Sequence, residues 1–329
     1  MSLLSDYIYF LLKTLTLVIA LLFMFSSMII LSKHKNKSRM RLSVKHVNDD
    51  YDTYASDIQD ETLGKADLKK AQKIQKKALA SIKDQKRKRL FYLSFIGDMQ
   101  ASEADNLREK ITAILTVATP EDEVVVTVDS AGGVVHGYGL CASQLSRLRT
   151  QHIPLTVIVD KVAASGGYMM ASVADTIIAA PFAIIGSIGV VAQLPNFHRL
   201  LKTHDIDFEQ VTAGEYKRTL TLFGENTDKA REKCQEDITQ VHHLFKQFIS
   251  QYRPQLDMSK VATGEYWFGT DALALKLIDR IGTSDDYLLQ ASKTTDIYEI
   301  NYTRKRSFMQ KCTQSLSLLL SQWTSTGIK

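Results

Sequence analysis

Beginning at Leu90, short and nearly unbroken apolar runs alternate with stretches of helical periodicity. "LFYLSFIG", "EVVVTVDS", "LTVIVD", "DTIIAAP" and "SIGVVAQL" read as strands. Between them lie a helix opening at Ser102, another near Gly137 to Thr150, and a short one through "GGYMMASVA". Alternating strand and helix predicts crossover units and a mostly parallel sheet. Strands that are apolar at successive positions, rather than at every second one, fit a sheet covered by helices on both faces. The expected fold class is therefore α/β with flanking helices. The helix at Ser102 starts on "SEAD", which resembles a capping box, and puts Leu107, Ile111, Ile114 and Leu115 on one face. Further on, Thr227 to Arg253 reads as a long helix with Ile238, Val241, Leu244, Phe245 and Phe248 as its apolar stripe.

The N-terminus obeys another pattern. From Thr14 to Ser32 there are 19 residues without a charge, and apolar character reaches back through "YIYFLL" across Lys13. A helix of roughly 20 apolar residues crosses a bilayer. No small-x-small cleavage site follows the run, so residues 1–32 are expected to form a retained single anchor preceding the α/β domain, not a removed signal peptide. Six Lys or Arg lie between Lys33 and Lys45, against Lys13 alone on the other side. By the positive-inside rule they put the body of the protein in the cytoplasm.

Residues 33–89 are expected to be a charged connector. Its second part, 65–89, holds eleven basic and two acidic residues and permits a basic helix, either facing anionic lipid headgroups or simply solvated. The folded domain is expected over 90–300, with an amphipathic tail over 301–329 that packs on a partner subunit. Residues 177–194 are apolar enough to be weighed as a second span. A proline, two glycines and several β-branched residues make two buried strands and a loop the better reading. The net charge of +5 on 329 residues is mild and gives no reason to expect a nucleic-acid partner. Cys141, Cys234 and Cys312 are odd in number, far apart and without a CxxC pair, which argues against a disulfide framework or a zinc site.

Two glycine-bearing turns follow strands. "VTVDSAGGVVHGYG" carries Gly132 and Gly133, and "IVDKVAASGGYMMA" carries Ser165 directly before Gly166 and Gly167. Ligands commonly bind at the carboxyl ends of strands in such sheets. Glycines there expose backbone N–H groups of the kind that stabilise an oxyanion. Ser165 is a candidate nucleophile, although a small residue in a tight turn is the plainer explanation of the same letters. A serine nucleophile needs a base. No Ser, His, Asp order stands out. His136 follows the first glycine turn without a positioning partner, His198 and His204 lie on an amphipathic segment, and His242 and His243 fall on the long helix. Lys217 in "VTAGEYKRTLTLFGEN" is the other candidate base. A free lysine titrates near about 10.4, so acting as a base at neutral pH needs a depression of about 3 units, roughly 4 kcal/mol. Burial and the neighbouring Arg218 would both work in that direction.

Five motifs together settle more than any one. "DSAGGVVHGYGLCASQL", "DKVAASGGYMMASVAD", "GSIGVV", "TAGEYKRTLTLFGENT" and "TGEYWFGTDALALKLIDRIG" follow in an order and spacing that resembles the signal peptide peptidase A family of membrane-anchored bacterial serine proteases. The resemblance spans residues 89 to about 290 and is strongest to the type that has such an anchor and basic connector. It implies a fold related to Clp protease and crotonase and a Ser–Lys dyad: Ser165 as nucleophile, Lys217 as general base, Ser187 holding the lysine amine, and Gly133 and Gly166 as backbone oxyanion donors. It implies no metal or cofactor, peptide or protein substrates, a bilayer as neighbour, and a homo-oligomer. It also implies an inner-membrane location with the active domain away from the cytoplasm, opposite to the charge rule. One position departs from the family pattern, since Ala131 stands where a proline is usual, which frees φ ahead of the glycines without removing any N–H donor. The rival expectations are a catalytically weak or inactive membrane-tethered scaffold that keeps the fold, and acyl-thioester chemistry, for which no pair of acid and base carboxylates is evident.

Overall fold

The computed structural model describes residues 2–35, 40–73 and 87–304. Residues 44–301 form one compact unit, and α1 (Ser2–Lys35) belongs to a separate one. The strands are β1 (Met40–His46), β2 (Lys88–Ile96), β3 (Glu123–Asp129), β4 (Leu155–Val159), β5 (Val162–Ala164), β6 (Thr176–Ala179), β7 (Ile184–Gly186), β8 (Tyr266–Phe268), β9 (Arg280–Ile281) and β10 (Thr295–Arg304).

Seven of them build the main sheet in the order β1-β10-β2-β3-β4-β6-β9. From β10 to β9 every pairing is parallel, as the alternation of strand and helix requires. Val124, Val125 and Val126 show why the strands are apolar throughout. Val124 and Val126 join Leu93, Phe95 and Val157 in the large core under α3 (Ala104–Leu115) and α4 (Val135–Thr150). Val125 points the other way, to Leu90, Ile158, Ile178, Ile297 and Leu288 of α10 (Ser284–Ala291). Both faces are dry, so neither alternates with polar residues.

A second, three-stranded sheet has the order β5-β7-β8, with β5 and β7 parallel and β8 antiparallel to β7. Between β5 and β6 runs α5 (Gly166–Ser172), every residue of which is buried. Tyr168 fastens it by donating to the Leu277 carbonyl at 2.9 Å, and burial raises the phenol's pKa. Between residues 198 and 274 lie α6 (His198–Thr203), α7 (Asp228–Tyr252), α8 (Met258–Val261) and α9 (Gly269–Ala274). The long helix α7 falls where the periodicity puts it and is capped by Thr227, whose side chain accepts from the Ala230 amide.

Four expectations are corrected or limited. Ser102 does not cap α3, because its hydroxyl donates to Asp98 Oδ2 at 2.6 Å and Glu103 takes the cap position without a side-chain bond. The second strand in 177–194 is Ile184–Gly186, not "SIGVVAQL", since the chain leaves the sheet at Ser187 with φ 51° and residues 187–197 are neither helix nor strand. The stretch read as connector holds β1 and α2 (Val47–Thr62), and Asn48 is buried there. Its Nδ2 donates to the carbonyls of Ser292 and Thr295, and its Oδ1 accepts from the Ile297 amide, so this segment is tied to β10. The expected anchor coincides with α1, but no helix among the described residues is long and apolar enough to cross a membrane. The side chains described on α1 are those of 7–22 and Met24, a run shorter than a span and broken by Lys13. The basic run 74–86, the tail from 305 and Cys312 lie outside the described residues.

Candidate active site

The site grows from the ends of two short strands. In the parallel ladder of β5 and β7, Ala164 stands opposite Gly186, so Ser165 and Ser187 leave the sheet side by side. Ser165 N donates to the Gly186 carbonyl at 2.8 Å, and Ser187 N to that of Glu265 at 2.7 Å. Both serines have left-handed φ, 52° for Ser165 and 51° for Ser187, a region that costs a side-chain-bearing residue about 1–3 kcal/mol. Ser165 is held there from both sides, because its own carbonyl also accepts from the Met169 amide at 2.9 Å. Its side chain is half-buried, and its hydroxyl makes no hydrogen bond among the described residues.

The turn after β3 closes over this corner. Gly132 has φ +90° and lies so near Ser165 that an added Cβ would come within 2.7 Å of both Ser165 Cβ and the Gly166 amide nitrogen. Only glycine allows that approach. The Gly166 amide stands in the first turn of α5, where no carbonyl of the same helix can reach it. Neither this N–H nor that of Gly133 has an acceptor among the described residues. The Gly166 amide directly follows Ser165 in the chain, and Gly133 follows the glycine that packs against them. Gly132, Ser165 and Gly166 are thus brought together, with Gly133 next along the turn and Ser187 following β7 as Ser165 follows β5.

Lys217 is joined to none of them by a hydrogen bond among the described residues. It lies on an exposed turn in which its amide donates to the Gly214 carbonyl at 3.1 Å, and its amine makes no hydrogen bond or ion pair among the described residues. The burial expected for it is not supplied by this chain alone. The surroundings explain why: from Gly189 to Leu244 no residue is buried. This excursion nevertheless carries Val191, Phe197, Leu200, Phe208, Tyr216 and, at 96% exposed, Val211. Phe223 touches Phe197 and Phe208, and the Tyr216 ring lies under the amines of Lys229 and Lys233. His136 is exposed at the start of α4, and its ring makes no hydrogen bond among the described residues. His242, set aside on sequence as one more residue of a long helix, reaches the Ile188 carbonyl with Nε2 at 3.2 Å and steadies the turn after Ser187. Nothing in its letters marks that contact. Among the described residues no cluster of His, Cys, Asp or Glu could hold a metal. Cys141 is buried, and burial pushes its thiol up to about 12.

Comparison with known proteins adds a second kind of observation. Residues 147–298 match "Peptidase family S49", and residues 2–145 match "Peptidase family S49 N-terminal". The "Probable protease SohB" of Haemophilus influenzae is 47% identical over 325 residues, covering 94% of this chain and 92% of its own. A protein of the same description from Buchnera aphidicola of Acyrthosiphon pisum is 55% identical over 236 residues, covering 72% and 70%. Another, from Buchnera aphidicola of Schlechtendalia chinensis, is 47% identical over 303 residues, covering 88% and 99%.

Proposed function

Because this chain belongs to peptidase family S49, the signal peptide peptidase A family, and is similar along most of its length to SohB-type proteases, we propose that it is a serine endopeptidase working through Ser165. The observation that carries the reading is the corner itself: a hydroxyl on a left-handed turn, next to a glycine turn, with the amides of Gly133 and Gly166 lacking acceptors among the described residues. Ser165 Oγ attacks the peptide carbonyl carbon and passes its proton to the neutral amine of Lys217. Charge builds on the former carbonyl oxygen, facing the amides of Gly133 and Gly166. Each such donor is worth about 3 kcal/mol in the transition state. The tetrahedral centre then collapses, the C–N bond breaks, and Lys217 returns the proton to the leaving amine. Water, giving a proton to the same lysine, attacks the acyl carbon, the bond from that carbon to Ser165 Oγ breaks, and the lysine hands the proton to Oγ. Ser187, one ladder position away, holds the amine between these steps.

The lysine must come from its exposed turn to the serine, and association of copies supplies the means. An excursion from 189 to 244 with no buried residue and many exposed apolar ones is stable only against something else. Another copy covering it would desolvate Lys217 and favour the neutral amine a base requires. A homo-oligomer is part of the proposal for this reason. So is a membrane location, for which the uncharged run Thr14 to Ser32 in the sequence is the support, with membrane-associated or signal-peptide-like polypeptides as substrates. A reporter fused at residue 60 reads which face carries the domain.

Exposure of Lys217 is also what favours the competing reading, an inactive scaffold. One experiment separates them. In detergent, the full-length chain is expected to cleave an extended apolar peptide, and Ser165→Ala and Lys217→Ala are each expected to lose at least about 10³-fold in turnover. Equal turnover by wild type and Ser165→Ala would end the protease reading.

A further inference from the structure

Beneath the glycine turn runs a chain of hydrogen bonds that the reaction does not use directly. Gly132 N donates to Ser130 Oγ at 3.1 Å, Ser130 Oγ and Tyr138 Oη are 2.6 Å apart, and Tyr138 donates to the Asp98 carbonyl at 2.8 Å. Its direction is fixed by chemistry. A backbone carbonyl only accepts, so the one phenolic proton goes to Asp98. The Ser130 proton must then go to the phenol oxygen, which leaves a lone pair of Ser130 for the Gly132 amide. The amide of Gly132 is therefore committed, and that of Gly133 is left to serve the site. Tyr138 is completely buried and Ser130 is 2% exposed, so water does not compete for these bonds.

Tyr138 also touches the other half of the corner. A Cβ on Gly166 would run into its ring, at 2.6 Å from its own Cβ. One side chain thus braces Gly166 with its ring and, through Ser130, fixes the turn that presents Gly133. The backbone of Ser130 completes the clamp, donating to Val162 O at 2.9 Å and accepting from Ala164 N at 3.0 Å, at the threshold of Ser165. Residue 131 is an alanine, whose φ no ring restrains, so the stiffness of this turn has to come from its bonds.

We propose that Ser130 and Tyr138 are positioning residues that set the separation and aim of the Gly133 and Gly166 amides, and so the stabilisation of the oxyanion. The inference rests on the serine endopeptidase reading and refines it.

The test uses the full-length chain in detergent. In Tyr138→Phe, kcat is expected to fall about tenfold while KM stays within about twofold, because the interaction matters only as charge develops. Affinity for a peptide boronic acid, which forms a tetrahedral anion on serine, is expected to fall in parallel, about tenfold, while that for the product peptide is unchanged. Ser130→Ala should behave alike, and the double variant should be no worse than either single one, because both break one chain. Thermal unfolding of each variant shows whether it is folded, and with either one folded the comparison stands. An unchanged kcat in the folded variants overturns the inference. So does an equal loss of affinity for boronic acid and product, or a multiplicative loss in the double variant. If the wild type does not cleave, or Ser165→Ala cleaves equally well, the protease reading falls and this inference with it. That outcome is distinct from an active, Ser165-dependent enzyme indifferent to Tyr138→Phe.

Discussion

Ser165 has φ 52° and ψ −118°, a backbone state that glycine enters freely and serine does not. Strain at a residue whose hydroxyl is left without a bond makes sense when the hydroxyl is wanted for chemistry. Ser165→Gly is therefore expected to be inactive yet more stable by about 1 kcal/mol, read as a raised unfolding temperature. An unchanged or lowered temperature would mean the turn is not strained. At this scale the letters were partly legible. Ser165 between Ala164 and Gly166 drew attention because glycines follow it, and Gly133 because it follows a strand. Ser130, Tyr138 and His242 gave no signal, since their roles come from contacts across 8, 40 and 54 positions of chain. No local pattern encodes those. Lys217 was legible as a candidate base but not set apart from a solvated lysine until the motif was recognised, and on its exposed turn nothing among the described residues sets it apart either.

Among the elements, the parallel strands were legible because burial on both faces writes itself as unbroken apolar runs. Their limits were less so. "SIGVVAQL" has the composition of a strand, but Ser187 turns out of the sheet and Glu265 pairs with it from a segment far along the chain. Asn48 makes the same point in reverse, since a polar residue in an acidic stretch became an anchor by bonding to three backbone groups around β10. Another such fastening holds the loop ahead of β3 to β2. The buried carboxylate of Asp122 takes two bonds from Arg89, at 2.9 and 2.6 Å, and two from the amide and hydroxyl of Thr119. Burial alone would raise its pKa, but the guanidinium and the Thr119 donors outweigh burial and hold it below the ordinary carboxylate value. A lowered folded pKa contributes stability that is present above the unfolded value, near about 3.9, and lost as pH falls through the folded one. Asp122→Asn is expected to cost about 2 kcal/mol at neutral pH and to flatten the acid limb below about pH 4. Denaturant unfolding across pH 2–7 checks both. A variant as stable as wild type at pH 7 would contradict this account of the loop.

For the whole molecule, the question is how a lysine on an excursion with no buried residue would serve a half-buried serine at the end of β5. If copies associate through that excursion, Lys217 of one serves Ser165 of the next. Mixing the Ser165→Ala and Lys217→Ala chains, each inactive, is then expected to restore cleavage after subunit exchange. Mixtures that stay inactive under conditions where wild-type subunits exchange would mean that both groups must come from one chain. The family motifs were legible as sequence, whereas nothing in the letters says what would cover the exposed apolar side chains of the excursion. All of this presupposes that the hydroxyl at 165 forms a bond to carbon. The most direct measurement is the mass of the full-length chain trapped with an activated peptide ester. The account predicts an added acyl group on the Ser165-bearing fragment and none in Ser165→Ala. An acyl group on another residue, or peptide turnover with Ser165 never modified, would contradict it.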